Sequence, residues 1–196
     1  MLVYGDRVRE AAADDLAAEI SARIGQSLAL PAGLERHAGL VAAFIRMAEL
    51  AQGLEDLRFA RRGMDEIEPQ GAEANRLLHE LAQVVGRSWS TGYRDGAVLS
   101  ASWPERLERL AGPETLRVKE AEGHAFYALY PEAYWRAARS ARLGPDTSVI
   151  GIRSIGTGLG AMVAAALGAA PAVTVRPVGH PFRRDVRLGP VFARAV

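Results

Sequence analysis

Cysteine is missing altogether from this 196-residue chain, and lysine occurs once, at Lys119, among 24 basic residues. Without thiols there is no disulfide scaffold, no thiolate nucleophile and no Cys-ligated zinc or iron–sulfur site. Long apolar runs are missing too. The longest, Ala161–Leu167, lies between glycines and falls far short of the roughly 18 residues that span a bilayer. The opening MLVYGDRVRE carries both charge signs and lacks the apolar stretch of an export signal. The expectation is a cytoplasmic protein without a membrane partner.

What is present is a globular composition, 49% hydrophobic with 20 glycines, long enough for one large domain or a small domain with an appendage. The net charge of +1 is unevenly spread. Residues 1–100 hold 15 acids and 11 bases, whereas residues 101–196 hold 8 acids and 13 bases. From Thr147 onward there are six arginines and one acid, Asp185. A local arginine excess on a nearly neutral chain suits an anionic small molecule better than nucleic acid, which calls for a larger overall positive charge.

Residues 1–90 read as a helical region. Val8, Ala12, Leu16, Ile20 and Ile24 recur at spacing four, predicting a helix over Asp6–Ile24. A second helix is expected over Leu34–Arg62, broken near Gly53, and a third over Gly71–Val85, stopped by Gly86. The acid pairs Asp14-Asp15 and Asp65-Glu66 read as solvated surface, because neighbours on a helix diverge by about 100°. His37 and His79 have no second ligand at metal-binding spacing and carry no predicted role.

Residues 91–196 read as an α/β unit. Strands are expected at Ala97–Ala101, Leu116–Lys119, Thr147–Ile152 and Ala172–Val178, composing one short parallel sheet. Helices are expected from Trp103 to Leu110, over Pro131–Arg142, and over Leu159–Leu167 before Gly168. His180–Leu188 shows no periodicity.

The informative stretch is Ser148–Gly160, SVIGIRSIGTGLG, a strand running through a glycine turn into a helix of small residues. Such a turn lets backbone N–H groups and a helix N-terminus approach an anion. A competing reading gives the glycines to close strand–helix packing. Gly156-Thr157-Gly158-Leu159-Gly160-Ala161 also fits the dinucleotide pattern G-x-G-x-x-[GA], with Arg176 placed for a 2′-phosphate, which defines an NADP-binding alternative.

Residues 115–189 also resemble bacterial phosphoribosyltransferase-like proteins. The resemblance implies that Arg153, Ser154, Ile155, Gly156, Thr157 and Gly158 form a pyrophosphate-binding loop. It further implies that His180, Arg183 and Arg184 lie in a flexible loop closing over a phosphorylated small molecule, with Mg2+ arriving on that ligand. His124, Tyr127 and Tyr130 would line the acceptor side. The family's ribose 5-phosphate loop, an acidic strand end followed by a Thr/Gly- or Ser/Gly-rich turn, is not in this sequence. The resemblance therefore implies a binding protein more directly than a complete transferase. The chain reads as the front of a longer enzyme, as one completed by a second copy or a partner chain, or as a fold without catalysis. A non-catalytic scaffold or interaction module, its arginine tail contacting an acidic partner, is the remaining alternative.

Overall fold

Val8–Ala12, expected as the opening turns of a helix, is strand β1 in the computed structural model, which describes residues 8–94, 98–119, 124, 128–180 and 182–195. It pairs antiparallel with β2 (Thr115–Lys119), from Val8 opposite Lys119 to Ala12 opposite Thr115. Leu116 and Val118 of β2 point inward and are fully buried, as period-two alternation demands. This pairing ties the two expected halves of the chain together.

Helix α1 (Ala13–Ala29) then buries Leu16, Ile20 and Ile24 on one face, as their spacing predicts. Helix α2 (Leu34–Arg62) has the expected bounds but no break at Gly53. A Cβ there would sit 3.2 Å from Leu116 Cδ1, so the glycine is a slot for a β2 side chain. Helix α3 (Pro69–Ser90) likewise runs through Gly86, where a Cβ would fall 2.2 Å from the Trp135 ring. Helix α4 (Trp103–Ala111) anchors Trp103, whose Nε1 donates to the Leu77 carbonyl at 3.2 Å. Helix α5 (Pro131–Ser140) supplies Trp135 to α3.

One core, from Ala13 through Phe44, Leu78, Trp103 and Leu116 to Met162, serves both parts of the chain. The molecule is thus mixed α/β and mostly helical, with the expected N-terminal helices. The single parallel sheet is a correction. The described residues form three two-stranded pairs, two of them antiparallel and one parallel. Of the strand expected at Ala97–Ala101, residues 98–101 are not extended pairing strand and Ala97 lies outside the described residues. Among the described residues, no helix is long and apolar enough to cross a membrane.

The parallel pair is β3 (Ile150–Ile152) and β4 (Val173–Val175), joined through helix α6 (Gly156–Leu167). Only Gly151 of β3 is buried, while Ile150 and Ile152 are exposed, so this strand is covered on one side alone. The tail without periodicity folds as a hairpin of β5 (Val178–His180) and β6 (Arg183–Asp185), followed by α7 (Pro190–Ala195).

Candidate functional site

The glycine turn sits where β3 ends and α6 begins, at the carboxyl edge of a parallel strand pair, the usual ligand position in open α/β sheets. Ser154 adopts φ +148°, a conformation that costs a residue with a Cβ on the order of 1–3 kcal/mol and that concentrates at functional sites. The Ser154 carbonyl accepts from Thr157 N at 3.2 Å and the Ile155 carbonyl accepts from Leu159 N at 3.1 Å, which closes the turn. Ser154, Ile155 and Gly156 are half-buried. Thr157 is buried and its Oγ1 has no hydrogen-bond partner.

The glycines divide between two tasks. A Cβ at Gly158 would press on Ala48 Cβ at 3.2 Å, and one at Gly160 would lie 3.4 Å from Gly151 Cα. These two positions serve packing of α6 on α2 and β3. Gly151, which carried no predicted role, matters as much, because a Cβ there would meet the Gly156 carbonyl at 2.4 Å. The turn folds back directly onto its own strand.

Arg153 does not flank the turn as a free cation. Its side chain is fully buried, and Nε donates to Asp56 Oδ1 at 2.9 Å while Nη2 donates to Asp65 Oδ1. Nη1 reaches the carbonyl and hydroxyl of Thr174 at 3.3 Å, and the guanidinium lies over Phe59. Arg176 is committed in the same way. Its Nε donates to Asp56 Oδ1 at 2.9 Å, Nη2 donates to Asp56 Oδ2, and its amide donates to Asp65 Oδ2 at 2.7 Å. Two guanidiniums and two carboxylates thus neutralise one another beneath the turn. The 2′-phosphate position proposed for Arg176 is occupied by Asp56. Asp65, read from the sequence as solvated, is buried because the fold brings two arginines to it.

His180, Arg183 and Arg184 are gathered in the β5–β6 hairpin, with His180 opposite Arg183 and Gly179 opposite Arg184. All three are exposed, and neither arginine is in an ion pair among the described residues. Gly179 has φ +92°, and a Cβ there would press on the Arg183 carbonyl at 2.8 Å, so this ribbon needs glycine at that position. Phe182 at the tip is 94% exposed.

The residues assigned to an acceptor side lie elsewhere. His124 is half-buried and its Nδ1 pairs with the Leu129 carbonyl at 2.7 Å. Tyr127 lies outside the described residues. Tyr130 is exposed and lines a groove of about 760 Å³ between the start of α2, the end of α3 and α5. No residue of the glycine turn lines that groove.

At its base is a cluster that sequence reading missed. His37, read as having no partner, is buried with Nδ1 3.0 Å from Ser88 Oγ and Nε2 2.8 Å from Glu132 Oε1. These residues lie 51 and 95 positions from His37 in the chain, so no local spacing could have announced them. Burial alone raises the Glu132 carboxyl, but the His37 hydrogen bond, its own amide and the nearby His37 and His124 rings leave it below the ordinary carboxylate range. Glu132 is therefore an anion whose Oε1 accepts from His37 Nε2–H, and His37 Nδ1 shares a hydrogen bond with the Ser88 hydroxyl. Ser88 does not line the groove, so the relay fixes the imidazole and presents no nucleophile to a bound molecule.

Among the described residues no group of three or more His, Asp or Glu side chains could hold a metal ion. Comparison with protein-family models, with curated proteins and with solved structures yields no match to this chain.

Proposed function

We propose that this chain binds a phosphate-bearing small molecule of the phosphoribosyl pyrophosphate class at the turn Ser154–Gly158, with Arg183 and Arg184 reaching it from the β5–β6 hairpin. The observation that carries the reading is the strained, half-buried turn at the carboxyl end of a parallel strand, leading directly into the first turn of α6. Backbone donors and the positive end of a helix favour an anion there. The role of Arg153 within this proposal is to position the turn. Paired to Asp56 and Asp65, it adds no net charge to the ligand but holds the end of β3 against α2 and β4. Magnesium would come with the ligand's own phosphates.

Calorimetric titration with phosphoribosyl pyrophosphate and Mg2+ tests the proposal. Saturable heat is expected, reduced at least tenfold in affinity by Arg183→Ala combined with Arg184→Ala. These side chains are exposed, so the double variant stays folded. No heat from the folded wild-type protein would overturn the reading. A second reading rests on Phe182, exposed at the hairpin tip beside two unpaired arginines. It makes the hairpin a contact for an acidic protein partner, and it requires that the double variant lose that contact while ligand heat is absent throughout.

A further inference from the structure

The groove between α2, α3 and α5 is a second site, separate from the glycine turn. Its wall is aromatic. The rings of His37 and Tyr93 lie 4.8 Å apart, and Trp89 meets Tyr93 edge-on at 5.9 Å, with Tyr130 exposed across the opening. Rings in tilted and edge-on arrangement leave flat faces to accept a further aromatic body. The remaining lining is mainly small or aliphatic, including Ala38, Val41 and Ala137.

Two polar groups give the groove a direction. Glu132 is more than nine-tenths buried, and while Oε1 is held by His37, Oε2 has no hydrogen-bond partner. Its own amide assists the charge without the geometry of a hydrogen bond to that oxygen. A buried carboxylate oxygen left unpaired carries a desolvation penalty that a ligand donor would relieve. One turn along α5, roughly 6 Å away, stands Arg136. An i, i+4 Glu–Arg pair on a helix ordinarily closes on itself. Here Glu132 turns inward to His37, and Arg136 lines the groove with no ion pair among the described residues.

We infer that this groove binds a flat aromatic or heteroaromatic molecule with an N–H donor at its inner end, facing Glu132, and an acidic group at its outer end, facing Arg136. The aromatic wall sets the shape of the ligand, and the opposed charges set its orientation. The acidic group follows from Arg136, an exposed cation on the groove lining with no ion pair among the described residues. Ser88 contributes by fixing the imidazole ring, and it stays out of contact with the ligand.

The test uses 6-amino-2-naphthoate, a rigid bicyclic probe with both groups, followed by its own fluorescence anisotropy. Saturable binding is expected, with 2-naphthoate, which lacks the amine, at least tenfold weaker. In Glu132→Gln the carboxamide oxygen is taken by His37 and its NH2 faces the groove, so the preference for the amine disappears. Arg136→Ala, an exposed change that leaves the fold intact, weakens both carboxylates about equally. Absence of saturable binding to wild-type protein would overturn the inference. So would an amine preference that survives in folded Glu132→Gln, or affinities unchanged in Arg136→Ala. Since phosphoribosyl pyrophosphate is not used, the result stands apart from the fate of the glycine turn.

Discussion

Arg153 donates through Nη2 to Asp65 across 88 residues of sequence, and the other oxygen of that carboxylate takes the Arg176 amide at 2.7 Å. One buried aspartate thereby fixes the ends of both parallel strands. Its own backbone is held as firmly, since Asp65 N donates to the Arg187 carbonyl and the Asp65 carbonyl accepts from Gly189 N, each at 2.7 Å. The turn after β3 and the segment after the hairpin are thus referred to a single point.

Asp65→Asn leaves the buried Arg153 guanidinium with a neutral acceptor in place of one of its two carboxylates, Asp56 remaining, and weakening a hydrogen bond to a buried charged group costs about 1–3 kcal/mol. Urea unfolding should show a loss of this order. Arg153→Met combined with Asp65→Asn should recover a large part of it, because the buried charge is then gone. A double-variant loss equal to the sum of the losses of Asp65→Asn and Arg153→Met alone would show that the pair is not coupled.

Gly86→Ala places a methyl group inside the Trp135 ring, whose Nε1 donates to Ser90 Oγ at 3.0 Å. Overpacking of this kind costs on the order of 1–3 kcal/mol. The variant should lower the thermal midpoint and shift tryptophan emission as the indole is displaced. Gly63→Ala, with no neighbouring atom within 4 Å of the new Cβ but φ +74°, should also destabilise, without that spectral change.

The glycines show where the sequence was legible and where it was not. Spacing of apolar residues located α2 to its ends, and proline at the start or glycine at the end placed α4, α5 and α6 closely. Gly53 and Gly86 read as interruptions because a glycine within a helix is locally unfavourable. In the fold each admits a large side chain from a distant element, Leu116 and Trp135 respectively, and that gain is invisible without tertiary contacts. Val8–Ala12 fits a helical stripe equally well, and only the complementary edge of β2, over a hundred residues later, makes it a strand. At the site the turn itself was legible from its glycines and hydroxyls. The burial of Arg153 and the meeting of His37 with Ser88 and Glu132 were not, because each depends on partners far along the chain.

Glu132 makes stability depend on pH in a defined direction. Its carboxyl is held below the ordinary value in the fold, so the unfolded chain takes up the proton first as pH falls. Its contribution is fully present above the ordinary carboxylate range and disappears as pH drops through the lowered folded value. The stability difference between wild type and Glu132→Gln, measured from pH 7 downward, should therefore shrink on acidification. A difference that grows toward acid would contradict the assignment.

Glu66 closes the other end of the structure. Desolvation pushes its carboxyl up, but the amides of Ile67, Val191 and Phe192 and the charge of Arg62 outweigh this and hold it below the usual range. Val191 and Phe192 open α7, so Glu66 serves as a cap supplied from outside the helix. Glu66→Ala should increase hydrogen exchange at the amides of residues 191 and 192 while leaving α1 and α3 protected.

The most direct test of the proposed anion site is an amide chemical-shift titration of the whole chain with inorganic pyrophosphate and Mg2+. The account predicts the largest changes at Ser154, Ile155 and Gly156, with smaller ones at Arg183 and Arg184 and none near His37. Changes confined to the hairpin, with the turn amides unmoved at saturation, would contradict it.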